Sequence, residues 1–145
     1  MILQSAAVIR LLGWQANDRL IVALTENIST ARSQPATVKL VSLTLTGTAG
    51  GANQQELGSF PETYLSNVHL SPNGRQVAFV RFLNGRNDIW QLSLTGGKIG
   101  MPKKLTSNSD PAFFFSSLAW APDGKTIYYD KQTRWSLLTM IDRFN

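Results

Sequence analysis

His69 is the only histidine in this chain of 145 residues, and therefore the only imidazole that could act as a general base. A Ser-His-Asp triad also needs an activated serine, but no Gly-x-Ser-x-Gly elbow is present to hold one. Because His69 stands between Val68 and Leu70, it is predicted to be a packed or rim residue of a strand. One histidine without cysteine cannot complete a zinc site. The sequence therefore predicts no catalytic histidine and no metal.

The nine acidic residues show no arrangement typical of a catalytic pair. Asp123 precedes Gly124 in a predicted turn, where a carboxylate caps backbone N–H groups. Asp88 opens a predicted strand, which indicates a structural role. The others considered are predicted to be solvated, in loops or outer strands: Glu26, Glu56 and Glu62.

Two glycine pairs, Gly50-Gly51 and Gly96-Gly97, are the only candidates for phosphate-binding loops. Neither pair leads into a helical pattern, so both are predicted to form turns. We therefore predict no cofactor, and we predict that the chain is not an enzyme.

Aromatic and basic residues supply the one candidate contact surface. Three consecutive phenylalanines cannot all face one core, so at least one is expected at the surface or in an interface. The only dense group of basic residues lies just upstream, at Lys98, Lys103 and Lys104. The repeated tryptophans, by contrast, are predicted to pack between repeats. The predicted contact residues are Phe113, Phe114, Phe115, Lys103 and Lys104.

The net charge of +5 is otherwise spread along the chain. A nucleic-acid surface requires clustered Lys and Arg with exposed aromatics between them, so nucleic acid is not predicted as a partner. No apolar run approaches the ~20 residues of a membrane helix. The first nine residues are too short for a secretory signal and lack its basic lead. The compartment is not fixed by the sequence.

The stretch over residues 67–106 organises the chain. It predicts four short strands, at residues 67–71, 75–82, 88–95 and 103–106, with a turn at residues 72–74, a loop at 83–87 and a glycine turn at 96–97. The second strand is apolar on both faces and the third alternates. This pattern is typical of one blade of a propeller.

The pattern returns on both sides. Residues 120–129 align with residues 70–79 at a shift of 50, and residues 14–23 align with them at a shift of 56. The third strand at residues 40–47 also matches residues 89–96. A period of about 40–50 residues with strands in each unit indicates a propeller. We predict an all-β fold of about three four-stranded antiparallel blades, a half or partial propeller, with repeats at 8–60, 61–110 and 111–145.

These motifs resemble the TolB-type (WD40-like) propeller repeat of bacterial proteins. The resemblance rests on Ser-Pro-Asn-Gly-Arg at residues 71–75 with the apolar strand after it, Asp-Ile-Trp at 88–90, Lys-Lys-Leu-Thr at 103–106 and Ala-Pro-Asp-Gly-Lys at 121–125. The first copy has lost both the proline and the glycine. The phrase at residues 129–140 is similar to a kelch repeat, another propeller, but lacks the upstream Gly-Gly pair.

The resemblance implies a propeller without implying one role, because such propellers serve many functions. The tail after residue 126 resembles the end of propellers attached to bacterial transcription regulators or signalling kinases. We therefore expect a non-catalytic recognition segment, the C-terminal part of a larger signalling or regulatory protein. The alternative is the gating propeller of a prolyl-oligopeptidase-like or dipeptidyl-peptidase-like enzyme.

Closure of the ring is the last expectation. About four to eight blades close a propeller, so three blades alone would leave apolar residues at 20–24 and 127–129 bare. Two copies could complete a six-bladed ring, with residues 2–7 of one chain supplying a strand to the other. The remainder of a longer chain could complete it instead.

Overall fold

The computed structural model describes residues 8–16, 18–25, 36–46, 51–133 and 137–143, and their regular structure is entirely β. No helix in these ranges is long and apolar enough to cross a membrane. The strands are β1 (Val8–Ala16), β2 (Arg19–Thr25), β3 (Ala36–Leu45), β4 (Ala52–Leu70), β5 (Gln76–Leu83), β6 (Arg86–Thr95), β7 (Lys98–Ile99), β8 (Lys103–Lys104), β9 (Phe113–Trp120), β10 (Thr126–Thr133) and β11 (Leu137–Arg143).

The strands form three antiparallel units, which we call blades. The first blade contains β1, β2, β3 and residues 52–60 of β4, and the second contains residues 68–70 of β4 with β5, β6 and β8. The third contains β9, β10 and β11. The four strands predicted within residues 67–106 therefore appear in the structure, together with the short β7 that the sequence pattern did not indicate.

Residues 60–62, which the sequence predicts to be a link between the first two repeats, are part of a strand. β4 runs unbroken from Ala52 to Leu70, pairing first with β3 and then with β5. Phe60 is buried within it and stacks on Phe79 at 4.3 Å between ring centroids. The link stays extended because its phenylalanine belongs to the core between the first two blades.

The loop expected at residues 83–87 is also shorter than predicted. Leu83 pairs with Arg86, so only Asn84 and Gly85 form the turn. Both have positive φ, 54° and 75°, as a two-residue hairpin turn with matching twist requires. As a result Arg81 lies directly opposite Asp88.

Two apolar clusters hold the blades together. Between the first and second blades, Ile21 and Ala23 pack with Val77 and Phe79. Between the second and third, the alternate residues of β5 pack with Leu118, Ile127 and Tyr129. β5 is thus buried on both faces, as its sequence predicted.

The gapless alignment of the first copy is wrong by one residue in its second strand. The alignment matched Ile21 with Val77. In the structure Leu20 is the equivalent of Val77, because Leu20 pairs with Trp14 and Val77 pairs with Leu70, the residue that aligns with Trp14. The first copy has a shorter turn, because Ala16 pairs with Arg19. A shift of one residue exchanges the two faces of a strand. Ile21 therefore faces the second blade.

The other face of the first blade holds a third apolar cluster, formed by Val22, Leu24, Val41 and Leu43 with Leu20 against them. The expectation that residues 20–24 would be bare was wrong for Val22 and Leu24, which are buried on this face together with Val41 and Leu43. It was also wrong for Ile127 and Tyr129, which face the second blade, whereas Tyr128 is exposed.

Several expectations fall outside the described residues. They are the spare strand expected at residues 2–7, all but the ends of the Ser/Thr/Gln-rich loop that the sequence predicts at 25–37, all but Gly51 of the glycine-containing turn that it predicts at 47–51, and Trp135, one of the repeated tryptophans.

Candidate recognition surface

The second and third blades are joined at one end by paired asparagines. Asn87 accepts a hydrogen bond from the Phe115 N–H at 3.2 Å and donates to the Phe115 carbonyl at 3.4 Å. Asn108 donates to the carbonyls of Asn87 and Phe113, at 3.2 and 2.9 Å. Both asparagines are buried. Through these four hydrogen bonds the two amides fix the start of β9 against β6.

Asp88 is the centre of the adjoining network. One carboxylate oxygen accepts hydrogen bonds from the Thr106 hydroxyl and the Asn108 N–H, at 2.9 and 2.6 Å. The other forms an ion pair with Lys104 Nζ at 2.7 Å. Thr106 in turn accepts from the Ile89 N–H at 2.9 Å. All of these partners lie within the fold, so the carboxylate serves structure, as the sequence indicated.

Beside this network lies a hollow of about 440 Å³. Its charged walls are Arg81, Arg86 and Lys104 against the single carboxylate of Asp88. The Arg81 guanidinium lies over the indole of Trp90, 5.2 Å from the ring centroid. The hollow therefore offers an excess of positive charge next to an aromatic wall, a combination suited to an anionic group.

The predicted phenylalanines point to different environments. Phe115 is buried and packs edge-on against Tyr129, with centroids 5.2 Å apart. Phe113 is half-buried beneath the ammonium of Lys131, which lies 4.3 Å from its ring centroid. Phe114 is 37% exposed. The prediction that at least one of the three reaches the surface is confirmed, whereas a contact role for them remains a prediction.

The predicted lysines are separated because they alternate along β8. Lys104 faces the hollow beside Asp88, and Lys103 lines a second hollow of about 460 Å³ with Trp120 and Lys125. Phe115 lines a third, of about 270 Å³. None of these three hollows combines the predicted lysines with the predicted phenylalanines.

Sequence reasoning missed Arg81, Arg86 and Trp90 as surface partners of Lys104. The signal was present in Asn84-Gly85, since a two-residue turn places Arg81 opposite Asp88. Treating residues 83–87 as a loop hid that pairing.

His69 is held as a neutral packing residue. Burial, and secondly the charge of Arg10, lower its pKa to about 4, so it carries little charge at neutral pH. Its carbonyl accepts a hydrogen bond from Trp120 Nε1 at 3.1 Å. Among the residues that the structure describes, no group of three His, Asp or Glu side chains could hold a metal ion.

No family model and no curated protein matches this chain. Solved structures do. The crystal structure of TolB from Acinetobacter baumannii is similar over 99% of this chain and 32% of its own, with 19% identity and a TM-score of 0.64. A puromycin hydrolase variant complexed with PGG is similar over 85% of this chain and 20% of its own, with 18% identity and a TM-score of 0.55.

The chain has the fold of a β-propeller segment, similar to part of the TolB propeller. It spans about a third of the TolB chain and a fifth of the hydrolase chain. At these identities the likeness concerns the fold alone, and a propeller fold is shared by proteins of many functions.

Proposed function

We propose that this propeller segment is a non-catalytic recognition module that binds an acidic segment of a protein partner, in a bacterial signalling or regulatory protein. The hollow beside Asp88 carries the proposal. Arg81, Arg86 and Lys104 surround it, and Asp88 already has partners inside the fold. An incoming carboxylate would meet cations on a surface that the paired asparagines and the Asp88 network hold in place.

The aromatic wall supports a peptide as the occupant. Trp90 is half-buried under Arg81, so its ring can cover an apolar side chain next to the acidic group. Leu83 at the rim adds exposed apolar surface. Positive charge and apolar area lie together, as in surfaces that recognise short segments.

Binding of a fluorescein-labelled hexaglutamate peptide, followed by anisotropy, tests the proposal. We expect binding that weakens as salt increases, because exposed charges are screened. Arg86→Gln should weaken it several-fold, and Lys98→Gln, an exposed lysine outside this hollow, should not. Failure of the peptide to bind at ~50 mM salt would contradict the proposal, as would an equal loss in both variants. The proposal would also be contradicted if a DNA oligonucleotide displaced the peptide and this displacement depended on Arg86.

We further propose that these three blades belong to a ring completed by other blades, from a second copy or from the remainder of a longer chain. The two internal junctions bury apolar side chains from both partners, and a propeller needs about four to eight blades. Light scattering on the purified chain tests the first source. A folded monomer at every concentration would exclude a second copy.

A further inference from the structure

We call the first strand of each blade its inner strand: β1, residues 68–70 of β4, and β9. In the first blade this strand carries a row of apolar side chains that faces solvent, which we call the stripe. Ile9, Leu11 and Trp14 are 42%, 61% and 51% exposed. They pair with Leu24, Val22 and Leu20 respectively, so the stripe lies on the face turned away from the second blade. Contiguous apolar side chains of this kind mark interaction surfaces.

The same positions are covered in the other two blades. The strand register places Leu11 at the position of Val68 in the second blade and Leu118 in the third. Val68 is 0% exposed and Leu118 is 4% exposed, because the preceding blade covers them. Only the first blade lacks a preceding blade among the described residues. The stripe is therefore one half of a junction that the molecule forms twice internally.

Each internal junction also shows where the other half must lie. Leu70 approaches Gly13 of the preceding blade, with its Cδ2 3.6 Å from where a Cβ on that glycine would be. Trp120 donates its indole N–H to the carbonyl of His69 in the preceding blade. Gly13, His69 and Ala119 occupy one register position in the three blades. Gly13 and His69 are each contacted by the next blade, whereas Ala119 is exposed. Ala119 is therefore the corresponding position that is open to a following blade.

The outward face of the third blade is open around Ala119. Its cross-strand partner Tyr128 is 42% exposed. Ala78 holds the Tyr128 position in the second blade and is fully buried in the cluster that contains Leu118. Since Leu118 corresponds to Leu11, the register places Leu11 beside Tyr128 in an equivalent junction.

We infer that the stripe docks on the third blade of a second copy of this chain, with Trp14 seated on Ala119 and its indole N–H donated to the Ala119 carbonyl. This inference rests on the proposed ring. Each chain carries both surfaces of this junction, the stripe on its first blade and the face around Ala119 on its third. Two copies can therefore cover both surfaces of each chain, and together they have six blades. Val22, Val41 and Leu43 are already buried on the first blade, so the new contact runs along the inner strands. A contact of this limited extent gives association that depends on concentration.

Sedimentation velocity over a range of concentrations tests the contact. We expect a monomer–dimer equilibrium whose dissociation constant rises at least about tenfold in Trp14→Ser, because tryptophan is among the residues that contribute most to the energy of a contact. Ala119→Arg should have the same effect from the opposite side. Met101→Ser is the matched control, since Met101 is 91% exposed and lies elsewhere. Circular dichroism confirms that each variant is folded.

The outcomes separate this inference from the ring. A folded monomer overturns this contact and excludes a second copy as the source of the missing blades, whereas a longer chain could still complete the ring. A dimer unaffected by Trp14→Ser and Ala119→Arg overturns this contact and leaves the ring standing. Hexaglutamate binding is measured separately, so the recognition proposal is judged independently.

Cysteine cross-linking tests the geometry, because the chain has no cysteine. Under mild oxidation, Leu11→Cys mixed with Tyr128→Cys should give a covalent dimer, and either variant alone should not. The double variant should give a dimer without higher species, since a two-fold ring closes. A ladder of polymers, or a mixture that forms no more dimer than Met101→Cys mixed with Tyr128→Cys, would overturn the inference.

Discussion

The indole N–H of Trp120 donates to the main-chain carbonyl of His69 at 3.1 Å, joining the inner strands of the second and third blades. The indole ring also packs against the cluster between these blades. One side chain thus contributes both apolar contact and a hydrogen bond to the main chain of the neighbouring blade. The junction is directional, because a later blade reaches back to an earlier one.

Trp120→Phe should reduce the free energy of unfolding by about 1 kcal/mol, since most of the aromatic packing is kept and only the hydrogen bond to the His69 carbonyl is lost. Urea denaturation measures the change. Trp14→Phe is the control, because Trp14 holds the matching position in an exposed setting. At concentrations where the chain is monomeric, its cost should stay within about 0.5 kcal/mol. Equal costs would contradict the role given to the hydrogen bond.

Gly124→Val should destabilise the fold more than Asp18→Ala. The sequence predicted a positive φ at Gly124, and its φ of 65° confirms this. A β-branched residue resists this conformation at a cost of about 1–3 kcal/mol. Asp18 is exposed, and its replacement should cost less than about 0.5 kcal/mol. Thermal unfolding of both variants checks the order, and identical melting temperatures would refute it.

The same turn position in the second blade provides a stronger variant. A Cβ on Gly74 would lie 2.6 Å from Cα of Gln15 in the first blade. Gly74→Val therefore adds a clash between blades to the conformational strain, and its melting temperature should fall below that of Gly124→Val.

How far the sequence predicts this fold depends on the turns. Where Pro-Asn-Gly and Pro-Asp-Gly remain, the pattern located the turns of the second and third blades. The first copy lacks both proline and glycine, and its shorter turn shifts β2 by one residue. The sequence pattern of an apolar run such as residues 20–24 does not reveal that shift, because both faces of the strand carry aliphatic side chains in either register.

The recognition surface was predictable only in part, for a related reason. Lys104 was identified from its charge, but Arg81 and Arg86 join it only once Asn84-Gly85 is a two-residue turn. The alternation of β8 then separates Lys103 from Lys104. Cross-strand neighbours follow from register, and register depends on turn length.

Asp88→Ala should be among the most damaging polar substitutions in the second blade. It leaves the buried N–H of Asn108 without its carboxylate partner, and removes the acceptor of Thr106. We expect a loss of about 3 kcal/mol, because each unpaired buried group costs about 1–3 kcal/mol.

Two further variants order the contributions of this network. Asp88→Asn keeps an acceptor and should cost less than Asp88→Ala. Lys104→Ala removes only an exposed partner, so its cost should not exceed about 1 kcal/mol. Chemical denaturation of the three variants gives the order, and a Lys104→Ala cost equal to that of Asp88→Ala would show that the ion pair dominates instead.

His69 should make stability depend on pH in the acid range. Burial first, and the charge of Arg10 second, lower its pKa from 6.5 to about 4 in the fold. Above pH 6.5 the ring is neutral in both the folded and the unfolded chain, so it adds no pH dependence. Between pH 6.5 and 4 the unfolded chain binds a proton that the folded chain does not, and the free energy of unfolding therefore decreases as the pH falls.

The loss is limited to about 3 kcal/mol at 1.36 kcal/mol per pKa unit, and should be smaller because the ring keeps partial contact with solvent. Urea denaturation at constant ionic strength from pH 7.5 to 4 measures it. His69→Gln lacks the titrating group and should show a shallower decline over this range, although carboxylates still contribute equally in both proteins. Parallel stability curves for the two proteins would mean that His69 is protonated in the folded chain as readily as in the unfolded one.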